Sequence, residues 1–99
     1  MSQHKDENIF KACALLKSLA HPARMMILCL LNEKGEMTVS DILAHSTGMI
    51  SQSQLSQYLN KMRLEGLLSH HKKGQYVYYK IKSKEAKKLI HTLYKIYCH

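Results

Sequence analysis

Ser51-Gln52-Ser53-Gln54-Leu55-Ser56-Gln57-Tyr58-Leu59-Asn60-Lys61-Met62-Arg63-Leu64-Glu65-Gly66 is the stretch on which the fold turns. Ser51 and Gln54 stand at capping-box spacing: the serine hydroxyl can take the Gln54 N–H while the glutamine side chain reaches back to the Ser51 N–H. A helix is therefore expected from Ser51 to about Glu65, with Gly66 where a left-handed residue closes it. Placed at about 100° per residue, Leu55, Tyr58, Leu59 and Met62 fall on one side, and Gln52, Ser53, Ser56, Gln57 and Asn60 fall roughly opposite. Ordinary solvated helix faces carry Glu and Lys, whereas this one is polar and uncharged. Gln and Asn offer a paired donor and acceptor that match the major-groove edge of adenine, and Ser bonds either way. The helix N-terminus also favours a nearby phosphate. These residues imply a helix that reads nucleic-acid bases.

Working upstream, Thr38 and Asp41 form a second capping-box pattern, opening a short helix from Val39 to Ser46 that Gly48 closes. Two helices joined by a short Gly-containing connection are a helix-turn-helix unit. Before it, Pro22 suits a first helical position. The helix it opens, to about Asn32, is apolar almost all round from Met25 to Leu31, which places it at the centre of the fold. Ile9, Phe10, Cys13, Leu16 and Leu19 recur at helical spacing and predict an amphipathic helix from Ile9 to Leu19.

Downstream, Leu67–Lys72 and Gln75–Ile81 read as two strands with Lys73-Gly74 at their tip. Val77, Tyr79 and Ile81 share one face; Tyr76, Tyr78 and Lys80 share the other. His70, His71, Lys72, Lys73 and Gln75 surround the tip, and a basic hairpin beside such a helix reads as a wing that grips the backbone or minor groove. Ser83 caps a last helix whose apolar stripe is Ala86, Leu89, Ile90, Leu93, Ile96 and Tyr97. The expected fold is mostly α with a β-hairpin wing, a winged helix-turn-helix in one domain over 1–99. Its order is helix, helix, helix-turn-helix, hairpin, helix.

Composition agrees. The chain has 99 residues, and 45% are hydrophobic, a globular composition on a body small enough for dimerisation to be a common remedy. Fifteen Lys and Arg against seven Asp and Glu give +8, a field that suits an anionic polymer such as double-stranded DNA. The longest apolar run, Met25 to Leu31, is too short to span a bilayer. The polar start, Met1 to Asn8, has no apolar signal region after it, so a cytoplasmic location is expected. No glycine-rich phosphate loop or paired-carboxylate motif suggests an enzyme, and no cofactor is expected. Cys13, Cys29 and Cys98 are expected to be thiols, each a core filler or a sensor.

Three motifs carry a family resemblance: Leu15-Leu16-Lys17-Ser18-Leu19-Ala20-His21-Pro22-Ala23-Arg24, Ile50 to Leu59, and Gly74-Gln75-Tyr76-Val77-Tyr78-Tyr79. In that order the chain resembles the ArsR/SmtB family of winged helix-turn-helix repressors. The resemblance implies a homodimer through the first and last helices, with Gln52, Ser53, Ser56 and Gln57 facing the bases. Between Asp41 and Ser51 the chain runs about two residues longer than the family pattern, which bears on half-site spacing. Many members sense metal. Here Thr38-Val39-Ser40-Asp41 holds no thiolate, His91 stands without a second ligand in the last helix, and the seven histidines are scattered, so no metal site is expected. The pair Cys29 and Cys98 instead resembles the persulfide-sensing, BigR/SqrR-like branch, which implies release of DNA when reactive sulfur species bridge the two thiols. Metal or peroxide response is the alternative. Cys13 has no counterpart in the resemblance, and interface packing is its expected role.

Overall fold

Both capping boxes form. In the computed structural model, which describes residues 3–97 and the side chains from 6 to 97, Thr38 Oγ1 accepts the Asp41 N–H at 3.1 Å and Asp41 Oδ2 accepts the Thr38 N–H at 3.3 Å. Ser51 Oγ accepts the Gln54 N–H and Gln54 Oε1 accepts the Ser51 N–H, each at 3.1 Å. These caps begin two of five helices. The elements run α1 (Gln3–Leu19), α2 (Pro22–Lys34), β1 (Met37–Thr38), α3 (Val39–His45), α4 (Gln52–Leu64), β2 (Leu68–Lys73), β3 (Tyr76–Ile81) and α5 (Lys84–Tyr97). The winged helix-turn-helix order read from the sequence is the observed one.

Four differences from that reading have physical causes. First, β1 was not legible: it pairs antiparallel with β3, Met37 opposite Tyr79 and Thr38 opposite Tyr78, giving a sheet ordered β1-β3-β2. Two residues carry no period. Second, Leu67 is not part of a strand, because it closes α4. The Leu67 N–H donates to Met62 O and the Gly66 N–H to Arg63 O, both at 3.0 Å, a Schellman cap with Gly66 at φ 83°. Third, the hairpin tip is Gly74-Gln75 rather than Lys73-Gly74. Lys73 still pairs with Tyr76, and Gly74 at φ 62° takes the first of two turn positions, where a II′ turn requires positive φ. Fourth, α1 starts well before Ile9, because Asp6 in its first turn complements the helix dipole.

The core gathers on α2. Ile27, Leu28 and Leu31 are buried against Ile42 of α3, Leu55, Leu59 and Met62 of α4, Leu68 of β2 and Ile90 of α5. Tyr79 and Ile81 pack onto this core, as their shared face predicts. α1 behaves differently. Every described side chain from Asp6 to Ala14 is exposed, Phe10 by 75%, and among the described side chains of α1 only Leu15 and Leu19 meet the core. The helix projects from the body and stretches the chain to 50 × 29 × 21 Å. A helix of this length held only at one end is marginal in water. Among the described residues, no single helix is long and apolar enough to cross a membrane.

Candidate nucleic-acid interface

Helix α4 is anchored by one face. Leu55, Leu59 and Met62 are fully buried, while Gln52, Ser53, Ser56, Gln57 and Asn60 are all exposed. The outer face is not wholly uncharged, however, because Lys61 extends it toward the C-terminal end, where the exposed Leu64 adds an apolar side chain. Asn60 is also partly committed: its Oδ1 accepts Arg63 Nη2 at 2.8 Å. Arg63 Nε is buried without a hydrogen-bond partner among the described residues, so the guanidinium is held in place by packing and by Asn60. Upstream, Ser46 ends α3 by donating to Leu43 O at 2.7 Å. Thr47 (φ 52°) and Gly48 (φ 77°) then reverse the chain toward α4. Positive φ is unusual for a β-branched residue and marks this connection as a tightly determined turn.

Two contacts invisible in the sequence set the pose of α4. At its middle, Tyr58 is half-buried and packs against the core, and its hydroxyl lies 3.1 Å from His21 Nε2. His21 Nδ1 accepts the Ala23 N–H at 3.2 Å as the N-cap of α2. That bond fixes the neutral tautomer with hydrogen on Nε2, so the imidazole donates to Tyr58. At its C-terminal end, Arg24 of α2 is buried and grips Glu65 with both terminal nitrogens, Nη1 to Oε1 at 2.8 Å and Nη2 to Oε2 at 3.2 Å. Arg24 Nη1 also donates to Ser18 O at 3.1 Å and Ser18 Oγ at 2.8 Å. One guanidinium thus ties the end of α1, the first turn of α2 and the cap of α4.

The hydrogen bond from Arg24 and its charge hold the Glu65 carboxyl below its ordinary value of 4.5. A carboxyl whose folded pKa is depressed contributes stability above its unfolded pKa and loses it as pH falls through the folded value. Thermal unfolding followed from roughly pH 7 down to 3 should therefore show the wild type losing stability on the acid side of about 4.5. Glu65→Gln should start less stable at neutral pH and fall less steeply. Parallel curves for the two proteins would contradict this.

The wing is built differently from its sequence reading. Glu36, just before β1, accepts Lys73 Nζ at 3.0 Å and lies 3.5 Å from His71 Nε2. Its carboxyl is held below the usual range, chiefly by the Lys73 hydrogen bond. The Lys73 ammonium sits 5.3 Å from the Tyr78 ring centroid, and His71 stacks on Tyr78. His71 and Lys73 therefore share one face with an acid, whereas His70, Lys72 and Gln75 are exposed. His70 leans on Tyr79.

Of the thiols, Cys29 is half-buried on α2 and packs against the core. Cys13 is exposed on α1. Cys98 and His99 lie outside the described residues. Among the described residues no three His, Cys, Asp or Glu side chains come together as a metal site.

A helix-turn-helix whose second helix is buried on one face and presents Gln and Ser on the other, beside a three-stranded wing, defines a winged-helix DNA-binding protein. Residues 21–70 match the family described as bacterial regulatory protein, arsR family, and the chain belongs to the ArsR family of transcriptional regulators. It is 38% identical over 96 residues to the transcriptional activator HlyU of Vibrio cholerae, covering 97% of this chain and 86% of that one. The solved structure of reduced HlyU from that organism superposes with a TM-score of 0.85, covering 99% of this chain and all of that one at 38% identity. The transcriptional repressor BigR of Xylella fastidiosa gives a TM-score of 0.83 at 30% identity, over 97% of this chain and 92% of that one. The protein is thus a DNA-binding regulator and not an enzyme.

Proposed function

We propose that this protein is a cytoplasmic homodimeric repressor that reads operator DNA with Gln52, Ser53, Ser56, Gln57 and Asn60. The wing residues His70, His71, Lys72, Lys73 and Gln75 hold the sugar-phosphate backbone. The observation that carries this reading is the exposed Gln/Ser face on a helix locked from behind by Leu55, Leu59 and Met62. Base-reading side chains on a rigid element lose little freedom when they bind. Dimerisation is supported by the apolar side chains left bare, Ile9, Phe10 and Leu16 on α1 with Ile96 and Tyr97 on α5. Covering them against a second copy would stabilise α1, and Cys13 would pack within the same surface. Two recognition helices related by a two-fold axis would then meet successive major grooves.

The inducer in this reading is reactive sulfur. A bridge between Cys29 and Cys98 takes two hydrogens from the thiols. An organic persulfide accepts them and leaves as its thiol and hydrogen sulfide; further persulfides can add sulfur to the bridge. Support comes from the position of Cys29 on α2, the helix against which α5 packs, and from similarity to BigR, itself named a repressor. Tightening α5 against α2 would shift the dimer and move the recognition helices off their grooves. The test is operator affinity, measured by gel shift on the DNA upstream of the protein's own gene, before and after treatment with an organic persulfide. Wild type should release DNA and Cys29→Ser should not. Unchanged wild-type binding, or equal loss in Cys29→Ser, would defeat the sensor.

The acid in the wing yields a separate expectation. Glu36 competes with DNA phosphates for Lys73 and His71, so Glu36→Gln should bind DNA roughly two- to five-fold more tightly at about 0.1 M salt. The salt dependence should steepen by about one counterion per protomer. An unchanged slope of log affinity against log salt would show that Lys73 does not reach the backbone.

A further inference from the structure

The positive charge of this chain is not concentrated where DNA reading requires it. Helix α4 carries Lys61 and Arg63, and β2 carries Lys72 and Lys73, one of which is paired with Glu36. Lys84, Lys87, Lys88 and Lys95 all lie on α5, accompanied by a single carboxylate, Glu85. At about 100° per residue these four lysines and His91 fall within one stripe, opposite the apolar stripe centred on Ala86, Ile90 and Leu93. All five are exposed, and among the described residues none of the four ammonium groups has an ion pair.

Where this stripe meets the last turns of α2 there is an open groove of about 420 Å³, lined by Asn32, Lys84, Lys87, Lys88 and His91. The groove surface is almost entirely carbon. Long lysine stems supply such a wall while their ammonium groups reach for water at the rim. Asn32, half-buried on α2, adds an amide from the opposite side. An apolar floor, a cationic rim and one amide suit a small molecule with a hydrocarbon body and one carboxylate. The volume falls within the range of ligand sites. A phosphate polymer would make no use of the carbon wall.

We infer that the α2–α5 groove binds a small organic carboxylate, with its acid group on Lys84, Lys87 and Lys88 and its hydrocarbon body against their stems. The site lies across the seam between the helix that carries Cys29 and the helix that leads to Cys98. Occupancy would therefore hold α5 against α2 in the absence of any sulfur chemistry. The inference does not depend on how DNA is read or on what happens to the thiols.

The experiment uses the purified full chain, with octanoate as probe and octanol as its uncharged analogue. Octanoate should bind saturably in the millimolar range or tighter, as suits a ligand of this size. In nitrogen-correlated NMR spectra it should move the Asn32 side-chain amide. Octanol should bind at least ten-fold more weakly. The variant with Lys84→Gln, Lys87→Gln and Lys88→Gln should lose at least ten-fold in octanoate affinity while keeping the wild-type melting temperature and circular dichroism. Should that variant be unstable, Lys87→Gln alone, combined with the Asn32 amide shift, makes the same distinction through a smaller loss. Equal binding of octanol and octanoate, unchanged affinity in the lysine variants, or an octanoate titration that leaves the Asn32 amide in place would each overturn the site. So would failure of octanoate to bind the wild type while DNA affinity falls with every lysine removed, since the stripe would then be a surface for nucleic acid.

Discussion

Gln57→Ala is expected to lower affinity for the specific operator roughly thirty-fold to ten-thousand-fold while leaving binding to a scrambled duplex within about two-fold. Gln57 points away from the buried face of α4 and is exposed, so both ends of its amide are available for a two-bond contact with one base. Such a contact discriminates by about 1–3 kcal/mol, and the proposed two-fold dimer would make it twice. The substitution removes no charge, so the non-specific, salt-dependent part of binding should stay. Asn60→Ala should cost less, because Asn60 Oδ1 already accepts Arg63 Nη2 at 2.8 Å and is poorly placed to make a paired contact. Fluorescence anisotropy with operator and scrambled duplexes at two salt concentrations checks the set. Equal losses on the two duplexes would mean that Gln57 positions the protein instead of reading sequence.

Arg24→Ala should cost about 2–3 kcal/mol of stability, or a fall in melting temperature of roughly 10–20 °C at fixed protein concentration. The guanidinium makes four hydrogen bonds, to Ser18 O, Ser18 Oγ and both Glu65 oxygens. Its side chain is 10% exposed, so alanine leaves a buried gap and unmet acceptors. The Glu65 side chain is 37% exposed, which screens its share and keeps the loss below that of a fully buried pair. Arg24→Met keeps most of the packing, so the difference between the two variants isolates the charged contact. A double-mutant cycle with Glu65→Ala should give a coupling of about 1 kcal/mol or more. Additive losses would show that Arg24 acts by volume alone. Because the same guanidinium joins α1 to the cap of α4, both variants should also weaken operator binding at temperatures where they remain folded.

These two expectations differ in origin. The Gln/Ser face was legible because it lies within one helix, where burial on one side and exposure on the other follow a 3.6-residue period. The Arg24 clamp was not, because Arg24 and Glu65 are 41 positions apart and neither looks unusual in its own segment. The wing shows both cases. Its hairpin was readable from alternation and the Gly74 turn, but its tip was placed one residue early. The strand Met37–Thr38 and the Glu36 pairing with Lys73, 37 positions away, left no local sign. Tyr58 falls on the buried side of α4 by angle and does pack against the core. Only the neighbouring His21 explains why it stops half-buried.

By itself, then, the order of amino acids determined which segments become helices, where their caps fall, which face of α4 turns outward, and the net charge that suits DNA. Each of these is set by residues within a turn or two of one another. Tertiary structure alone decided how α4 is held on α2, which wing cations are already paired, that most of α1 is left bare, and that Asn32 meets the lysines of α5 across a groove. These depend on side chains far apart in the chain. Their proximity follows from packing the core around α2, and no periodicity in the sequence records it.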